Sequence, residues 1–272
     1  MPKGRKPGDK AVTSDIKAVI PAAGYGTRLR PVTYAVPKEL LPVGRRPMIH
    51  EAVAEAVQAG IQEICIVIRK GKEQIREYFK TEGVASIRDS GVKLYFVYQT
   101  KPLGLGYALY EARDFISDSS FIMIIPDQFL FFDIPAAKQL LASVESDDSG
   151  VWSSIIHLPE EERKYFPNSR SFTLEVIDNK TWRVKGIQEY CDNNLNGNLL
   201  GIGRTYFPPK SLTYFSEEYL NPKTGEVDLL FSFRIMIKKF HCYAVLLKGK
   251  AMDFGTWPGY EHYSSELFHY TS

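Results

Sequence analysis

The chain has 272 residues, of which 44% are hydrophobic and 24% charged, a composition ordinary for a globular protein. Lys and Arg number 34 against 32 Asp and Glu, so the formal net charge is only +2. This balance argues against nucleic acid or an anionic membrane as the main partner, because both attract strongly basic surfaces. No apolar run approaches the ~20 residues that a membrane-spanning helix needs.

Residues 1–15 are basic but lack the apolar core of a secretory signal, so we expect a disordered basic tail there. The three cysteines, Cys65, Cys191 and Cys242, are widely spaced. An odd number without CxxC spacing is typical of a reduced, cytoplasmic protein, with each thiol a small buried side chain.

Strands and helices alternate along the first half of the chain. Apolar runs predict strands at 17–21, 64–68, 92–98 and 121–125, and helical periodicity predicts helices at 47–59, 72–80 and 106–115. Gly60 stands where a glycine would end the first helix. Such alternation predicts a parallel sheet with helices on both faces.

The second half is less regular. Strands are predicted at 151–157, 172–177, 184–189, 199–207 and 242–247, and helices at 226–240 and from about residue 258. We interpret the aromatic segment from Phe129 to Phe132 as core rather than as an interface. A mixed sheet that grows from a parallel core, in one elaborated α/β domain over residues 16–272, explains the pattern better than two domains.

The most informative segment is the glycine loop that begins at Gly24 and Gly26, after the first predicted strand. Glycines let the backbone approach a ligand closely, and their amides bind phosphate oxygens. Leu29 stands where a dinucleotide fingerprint needs its third glycine, and no P-loop motif is present. Arg28 and Lys38 supply cations for a triphosphate, since negative charge develops on the leaving pyrophosphate. The segment therefore predicts a nucleotide site.

Two polar residues follow later strands of the predicted parallel sheet. Gln99 comes after the third strand, and its amide offers both a donor and an acceptor to the edge of a pyrimidine. Asp127 comes after the fourth strand, where a carboxylate points into the crevice that binds ligands in open α/β sheets. One carboxylate together with substrate phosphates is a usual way to hold Mg²⁺.

The stretch GYGTRLRPVTYAVPKELLPVGRRPMI, residues 24–49, resembles the signature GxGTRxxPxTxxxPKxLLPVxxxPMI of nucleotide-sugar pyrophosphorylases. These are sugar-1-phosphate nucleotidylyltransferases, and the chain is most similar to the bacterial enzymes that use UTP and glucose 1-phosphate. The resemblance implies a Rossmann-like, glycosyltransferase-A-like α/β fold with a mixed, mainly parallel sheet flanked by helices. It also implies a nucleotide-binding half at about 16–135, an acceptor-binding half at about 136–272, and a homo-oligomer.

The implied reaction is Mg²⁺-dependent transfer of a nucleotidyl group from UTP or dTTP to a sugar 1-phosphate, with release of pyrophosphate. The resemblance gives catalytic roles to Arg28 and Lys38. It also implies that the nucleotide is bound by Ala23, Gly24, Gly26, Thr27, Gln99 and Gly104, the metal by Asp127 and Asp253, and the sugar phosphate by Glu189, Asn198 and Gly203.

The sequence departs from the family pattern on the acceptor side. Family members have Glu-Lys-Pro where this chain has Glu189, Tyr190 and Cys191. A phenol carries no charge and is a poor replacement for lysine at a phosphate. Lys185, which strand alternation places on the face of Glu189, is a possible substitute.

This departure leaves two alternatives open. One is a cytidylyltransferase that uses a non-sugar phosphate acceptor, such as phosphocholine or a phosphonate. The other is a nucleotide-binding regulatory homologue without catalysis, which the retention of Arg28, Lys38, Asp127 and Asp253 disfavours.

Overall fold

The computed structural model describes residues 16–81, 84–144, 147–167, 170–189 and 199–270, with the backbone alone at 170, 188, 189 and 268–270. The predicted basic tail, residues 1–15, lies outside the described residues. Among the helices that are described, none is long and apolar enough to cross a membrane.

The described strands follow runs of β-branched and apolar residues, which favour extended backbone. In chain order they are β1 (Lys17–Pro21), β2 (Pro42–Val43), β3 (Arg46–Pro47), β4 (Glu63–Ile68), β5 (Lys93–Tyr98), β6 (Phe121–Ile124), β7 (Gln128–Phe131), β8 (Val151–His157), β9 (Arg170–Val176), β10 (Thr181–Glu189), β11 (Leu199–Phe207), β12 (Cys242–Leu246) and β13 (Lys250–Asp253).

Nine of these strands form one sheet in the order β5-β4-β1-β6-β11-β8-β12-β10-β9. The first four are mutually parallel, and β11 is antiparallel to its neighbours β6 and β8. β12 is parallel to β8, whereas β10 is antiparallel to both β12 and β9. Seven of the nine strands therefore point the same way, with β10 and β11 reversed, which confirms the predicted mixed, mainly parallel sheet. The sheet runs without a break through both predicted halves.

The described helices connect or flank these strands. They are α1 (Met48–Gln58), α2 (Glu73–Tyr78), α3 (Ala85–Asp89), α4 (Gly104–Glu111), α5 (Arg113–Ile116), α6 (Ala136–Val144), α7 (Leu229–Met236) and α8 (Trp257–Tyr270). Helix α1 buries its apolar stripe, and Gly60, with a φ of +88°, follows its last turn as the sequence predicts.

Hydrophobic cores cover both faces of the sheet. In β4, Ile64, Ile66 and Ile68 pack into the core beneath α1, α2, α6 and α8, whereas Cys65 and Val67 pack into the core beneath α4, α5 and α7. All five side chains are fully buried. Burial on both faces explains why this strand reads as a continuous apolar run rather than as an alternating one.

Three local predictions differ from the structure. The helix predicted at 226–240 begins only at Leu229, because the Asp228 side chain caps it by accepting from the Phe231 N–H at 2.7 Å. The helix predicted at 106–115 is two short helices, α4 and α5. The interpretation of the aromatic segment as core is wrong for Phe131 and Phe132, which are 56% and 41% exposed. They lie at and just after the end of β7, which pairs with β13 in a separate two-stranded sheet.

Candidate active site

A cavity of about 760 Å³ opens at the carboxyl ends of β5, β4, β1 and β6, the edge at which parallel sheets bind ligands. Residues of β8 to β11 and of α7 form its opposite wall. Ten of the residues that the sequence singles out line this cavity: Ala23, Gly24, Thr27, Arg28, Lys38, Gln99, Gly104, Asp127, Gly203 and Asp253.

The two glycines of the loop after β1 meet different requirements. Gly26 has a φ of +66°, a left-handed conformation that strains other residues, and its carbonyl accepts from the Thr33 hydroxyl at 2.8 Å. A Cβ at Gly24 would meet no atom within 4 Å. The fold therefore needs a glycine at Gly26, whereas Gly24 leaves open space beside the cavity that a ligand can use.

Lys38 and Asp127 form an ion pair across the cavity floor. Lys38 Nζ lies 2.5 Å from Asp127 Oδ2, and the side chains are 16% and 6% exposed. Burial alone would raise the pKa of Asp127, but Lys38 and, more weakly, Arg28 hold it below its usual value. Burial would likewise lower the pKa of Lys38, yet the Asp127 charge raises it. Each group therefore keeps the other ionised.

The β7–β13 ribbon brings Asp253 beside this pair. The Phe254 N–H donates to the Asp127 carbonyl at 2.8 Å, and burial, followed by the Asp127 charge, raises the pKa of Asp253 to about 6. A Cβ at Gly255 would lie 2.8 Å from Asp127 Oδ2, 2.9 Å from Asp253 Oδ1 and 3.5 Å from Arg28 Nη2. Arg28 and both carboxylates therefore converge on the small space that Gly255 leaves open.

The two carboxylates fit the requirements of Mg²⁺. Asp127 and Asp253 are both buried, and the repulsion between their carboxylates is the reason that a cation between them would be favourable. Mg²⁺ is commonly held by one or two carboxylates with the remaining ligands from water and substrate phosphates. In the described part of the chain no group of three or more His, Cys, Asp or Glu is arranged for a metal, so phosphates or water would complete the shell.

A buried ion pair lies under the glycine loop. Lys72 Nζ donates to Glu39 Oε2 at 2.7 Å and to the Ala22 carbonyl at 2.8 Å, and the two side chains are 3% and 1% exposed. Burial lowers the pKa of Lys72, and the Glu39 charge opposes that shift. The pair joins the end of β1 to the segment that carries Lys38.

The two predicted base-reading residues lie together, with Gln99 directly after β5 and Gly104 as the first residue of α4. Gln99 Nε2 donates to the Gly104 carbonyl at 3.1 Å, and Gly104 has a φ of +90°. A Cβ at Gly104 would come within 2.9 Å of Glu226 Oε2. Glu226 therefore shares this end of the cavity.

The acceptor side is described less completely. Gly203 lines the cavity, whereas Asn198 and Tyr190 lie outside the described residues, and at Glu189 the backbone alone is described. The proposed substitution by Lys185 is wrong. A bulge between Val184 and Gly186 interrupts the strand alternation, and Lys185 pairs on the surface with Glu175 at 2.7 Å.

Several further polar residues of the cavity, among them Arg69, Lys70 and Gln128, are not predicted from the sequence. Arg69 and Lys70 follow β4, and the Arg69 guanidinium lies 4.5 Å from the centre of the Tyr25 ring. Their position at the carboxyl end of a predicted parallel strand was the available signal. Gln128 directly follows Asp127, but a single amide at the start of a strand forms no pattern that indicates its partners.

A glycine loop, two cations and two carboxylates at one cavity of an α/β sheet are typical of proteins that bind phosphorylated nucleotides. The nucleotidyl transferase family profile matches residues 17–268. The chain belongs to the nucleotidyl transferase family, and the prediction of a nucleotidyltransferase enzyme is confirmed.

The curated relatives cover most of the chain. It is 30% identical over 256 residues to a UTP–glucose-1-phosphate uridylyltransferase of Bacillus subtilis, an alignment of 88% of this chain and 86% of that protein. It is 31% identical over 261 residues to UTP–glucose-1-phosphate uridylyltransferase 2 of Staphylococcus saprophyticus, covering 88% and 87%. A crystal structure of a UDP-glucose pyrophosphorylase complexed with UDP-glucose has a TM-score of 0.82 at 28% identity, covering 94% of this chain and 99% of that one.

These similarities confirm the predicted family and fold. The predicted site roles, Mg²⁺, the single domain, the homo-oligomer and the cytoplasmic location stay predictions.

Proposed function

We propose that this chain transfers a nucleotidyl group from UTP, or from dTTP, to a sugar 1-phosphate, first of all glucose 1-phosphate, and releases pyrophosphate. The observation that carries the proposal is the convergence of Arg28 and Lys38 with Asp127 and Asp253 in one cavity at the carboxyl edge of the sheet. The uridylyltransferases and the UDP-glucose pyrophosphorylase to which the chain is similar support the choice of substrates.

The proposed chemistry needs no protein nucleophile. An oxygen of the acceptor phosphate attacks the α-phosphorus of the nucleotide, and the bond to the bridging oxygen breaks as pyrophosphate leaves. A phosphate monoester is already a charged nucleophile, so the protein has to align the phosphates and neutralise their charge. Arg28 and Lys38 would stabilise the charge on the α-phosphate and on the leaving pyrophosphate. Lys38 uses one of its three N–H donors on Asp127, so it can donate to a phosphate while keeping that contact.

Asp127 and Asp253 would hold Mg²⁺ under this proposal. When bound there, Mg²⁺ supplies positive charge that neutralises phosphate oxygens and orients them. Gly255 keeps this space free of side-chain atoms, and the loop at Gly24 and Gly26 would bring backbone amides to the nucleotide.

The direct test measures pyrophosphate release for each nucleoside triphosphate with a set of phosphate acceptors, with and without Mg²⁺. We expect release with UTP or dTTP and a sugar 1-phosphate, and none without a divalent cation. UTP binding without release for any pair would contradict the proposed reaction and favour the regulatory homologue.

Lys38→Ala tests the catalytic assignment within this assay. We expect a large loss of kcat, together with some loss of stability, because the variant leaves Asp127 buried without its partner. Lys101→Ala is the matched control, since Lys101 lines the same cavity but is 55% exposed and pairs with Glu217. If both variants keep similar turnover, Lys38 does not act on the phosphates.

One observation favours a second candidate function, the cytidylyltransferase with a non-sugar phosphate acceptor. Among the described residues that line the acceptor wall, none is basic, and several are apolar: Phe172, Ile187, Leu229, Leu230 and Phe233. An acceptor with few hydroxyl groups would suit such a wall better than a sugar. CTP with phosphocholine or a phosphonate therefore belongs in the same screen, and faster turnover of that pair would replace the first proposal.

A further inference from the structure

Both ends of the Gln128 side-chain amide are engaged in the cavity. Its Nε2 donates to Asp253 Oδ2 at 2.8 Å, and its Oε1 accepts from the Gly203 N–H at 2.7 Å. A backbone N–H can only donate, so the amide oxygen faces Gly203 and the NH₂ group faces Asp253. The amide is therefore held in one orientation by its two partners.

The two partners belong to different parts of the proposed site. Asp253 is one of the two carboxylates proposed to hold the metal, and its other oxygen, Oδ1, accepts from the Gly255 N–H at 2.8 Å. Gly203 lies on β11, the strand that supplies part of the acceptor wall, and its carbonyl accepts from the Ile125 N–H at 2.8 Å. One rigid amide thus joins the carboxylate pair to the acceptor wall.

We propose that Gln128 is a positioning residue that fixes the Asp253 carboxylate relative to strand β11 and thereby couples divalent-cation binding to acceptor binding. The inference rests on the proposed function, which gives Asp253 to the metal. Each oxygen of Asp253 has one protein donor, so its orientation is fixed while lone pairs stay available for a cation. Groups that orient a metal ligand in this way commonly change metal affinity by about 10–100-fold when they are removed.

Gln128→Met tests the coupling, because methionine keeps the length and bulk of the side chain and loses both hydrogen bonds. Gln139→Met is the matched control. Gln139 on α6 also uses both ends of its amide, with Nε2 donating to the Ile134 and Lys248 carbonyls and Oε1 accepting from the Lys248 N–H, but it does not line the cavity. The control reports the general cost of losing a bridging glutamine.

Two quantities are measured for each variant. Electron paramagnetic resonance of free Mn²⁺ measures cation binding by the protein alone, and steady-state kinetics at saturating Mg²⁺ measures KM for the acceptor and for the nucleotide. For Gln128→Met we expect Mn²⁺ affinity to fall by about 10–100-fold. The acceptor KM should rise more than the nucleotide KM, and Gln139→Met should change neither.

If Gln128→Met fails to fold, Gln128→Glu is a second variant for the same measurements. Its carboxylate can still accept from the Gly203 N–H but cannot donate to Asp253, so Mn²⁺ affinity should change while the acceptor KM stays near that of the wild type. Unchanged Mn²⁺ affinity and acceptor KM in a folded variant, or equal effects in Gln139→Met, would overturn the role of Gln128. If the wild-type protein binds no Mn²⁺, the metal assignment of the proposed function fails, and the role of Gln128 fails with it.

Discussion

Replacing Lys72 by methionine should destabilise the fold and weaken nucleotide binding together. The Lys72 ammonium bonds to Glu39 and to the Ala22 carbonyl, and both charged side chains are almost completely buried. Methionine retains most of the apolar stem but removes the positive charge and both hydrogen bonds. The Glu39 carboxylate then stays buried without its ion-pair partner, and the chain that leads from Ala22 into the glycine loop loses the bond from Lys72.

The burial of both side chains determines the size of the expected effect. Breaking a buried ion pair from one side costs about 3–5 kcal/mol, because an uncompensated charge remains in a low-dielectric interior. This is a large part of the ~5–15 kcal/mol that stabilises a typical domain. Replacing Glu39 by methionine as well removes the buried charge, and an apolar pair in place of a buried ion pair is often neutral. We therefore expect the double variant to be more stable than Lys72→Met but about 1–3 kcal/mol less stable than the wild type, because the Ala22 carbonyl loses its Lys72 donor in both variants.

Urea unfolding followed by tryptophan fluorescence measures these free energies, and titration with UTP measures the change in binding. Lys80→Met is the matched control, because Lys80 forms an ion pair of the same 2.7 Å length with Glu77 while both side chains are more than 60% exposed. Exposed pairs contribute only about 0–1 kcal/mol. If Lys72→Met costs no more than Lys80→Met, or if the double variant costs the sum of its single changes, burial does not determine the cost of losing the Lys72 charge.

Three further predictions concern the glycines and the cysteines. Gly24→Ala should have the stability of the wild type in urea unfolding but bind UTP more weakly. Gly26→Ala should lower the free energy of unfolding by about 1 kcal/mol or more, because Gly26 has a positive φ. An equal loss of stability in both variants would contradict the different roles of the two glycines. Gly255→Ala should abolish pyrophosphate release without changing the circular dichroism spectrum, because its Cβ would lie within 3 Å of the carboxylates of Asp127 and Asp253. Near-normal turnover would show that the reaction does not use the space beside Gly255. Burial raises the pKa of Cys65 and of Cys242 to about 12, so iodoacetamide at neutral pH should label either thiol only in urea, as peptide mass spectrometry can show.

Local patterns were enough to predict the parallel half of the sheet. The strand at 17–21 is found with its predicted bounds, and α1 and Gly60 follow the predicted helix and its end, because buried strands and helix caps depend on residues close in sequence. The glycine loop was predictable in the same way, because the positive φ of Gly26 is a requirement of the loop's own backbone.

Contacts between distant segments could not be predicted in the same way. Nothing near Asp127 in the sequence indicates that Lys38 is its partner, and only the family resemblance, not a local pattern, placed Asp253 beside it. The prediction for Lys185 was wrong for a similar reason. It assumed that side chains alternate regularly between the two faces of β10, and one bulge reverses that alternation. Site residues that depend on a local loop were therefore easier to find than those, such as Gln128, whose partners are on other strands.

The balance of charge in the cavity gives a further expectation about metal removal. Arg28 and Lys38 are offset by Asp127 and Asp253, so the convergent group has no excess positive charge for a triphosphate. Lys38 is also paired with Asp127, and a cation on the carboxylates would offset the Asp127 charge and leave more of the Lys38 charge for a phosphate. We therefore expect Mg²⁺ to strengthen UTP binding even without an acceptor, as measured by titration calorimetry with Mg²⁺ and then with EDTA. In Asp253→Asn this gain should shrink, because one of the two carboxylates is lost. Equal UTP affinity with and without Mg²⁺ in the wild type would show that the protein's own cations suffice and that the carboxylates serve another purpose.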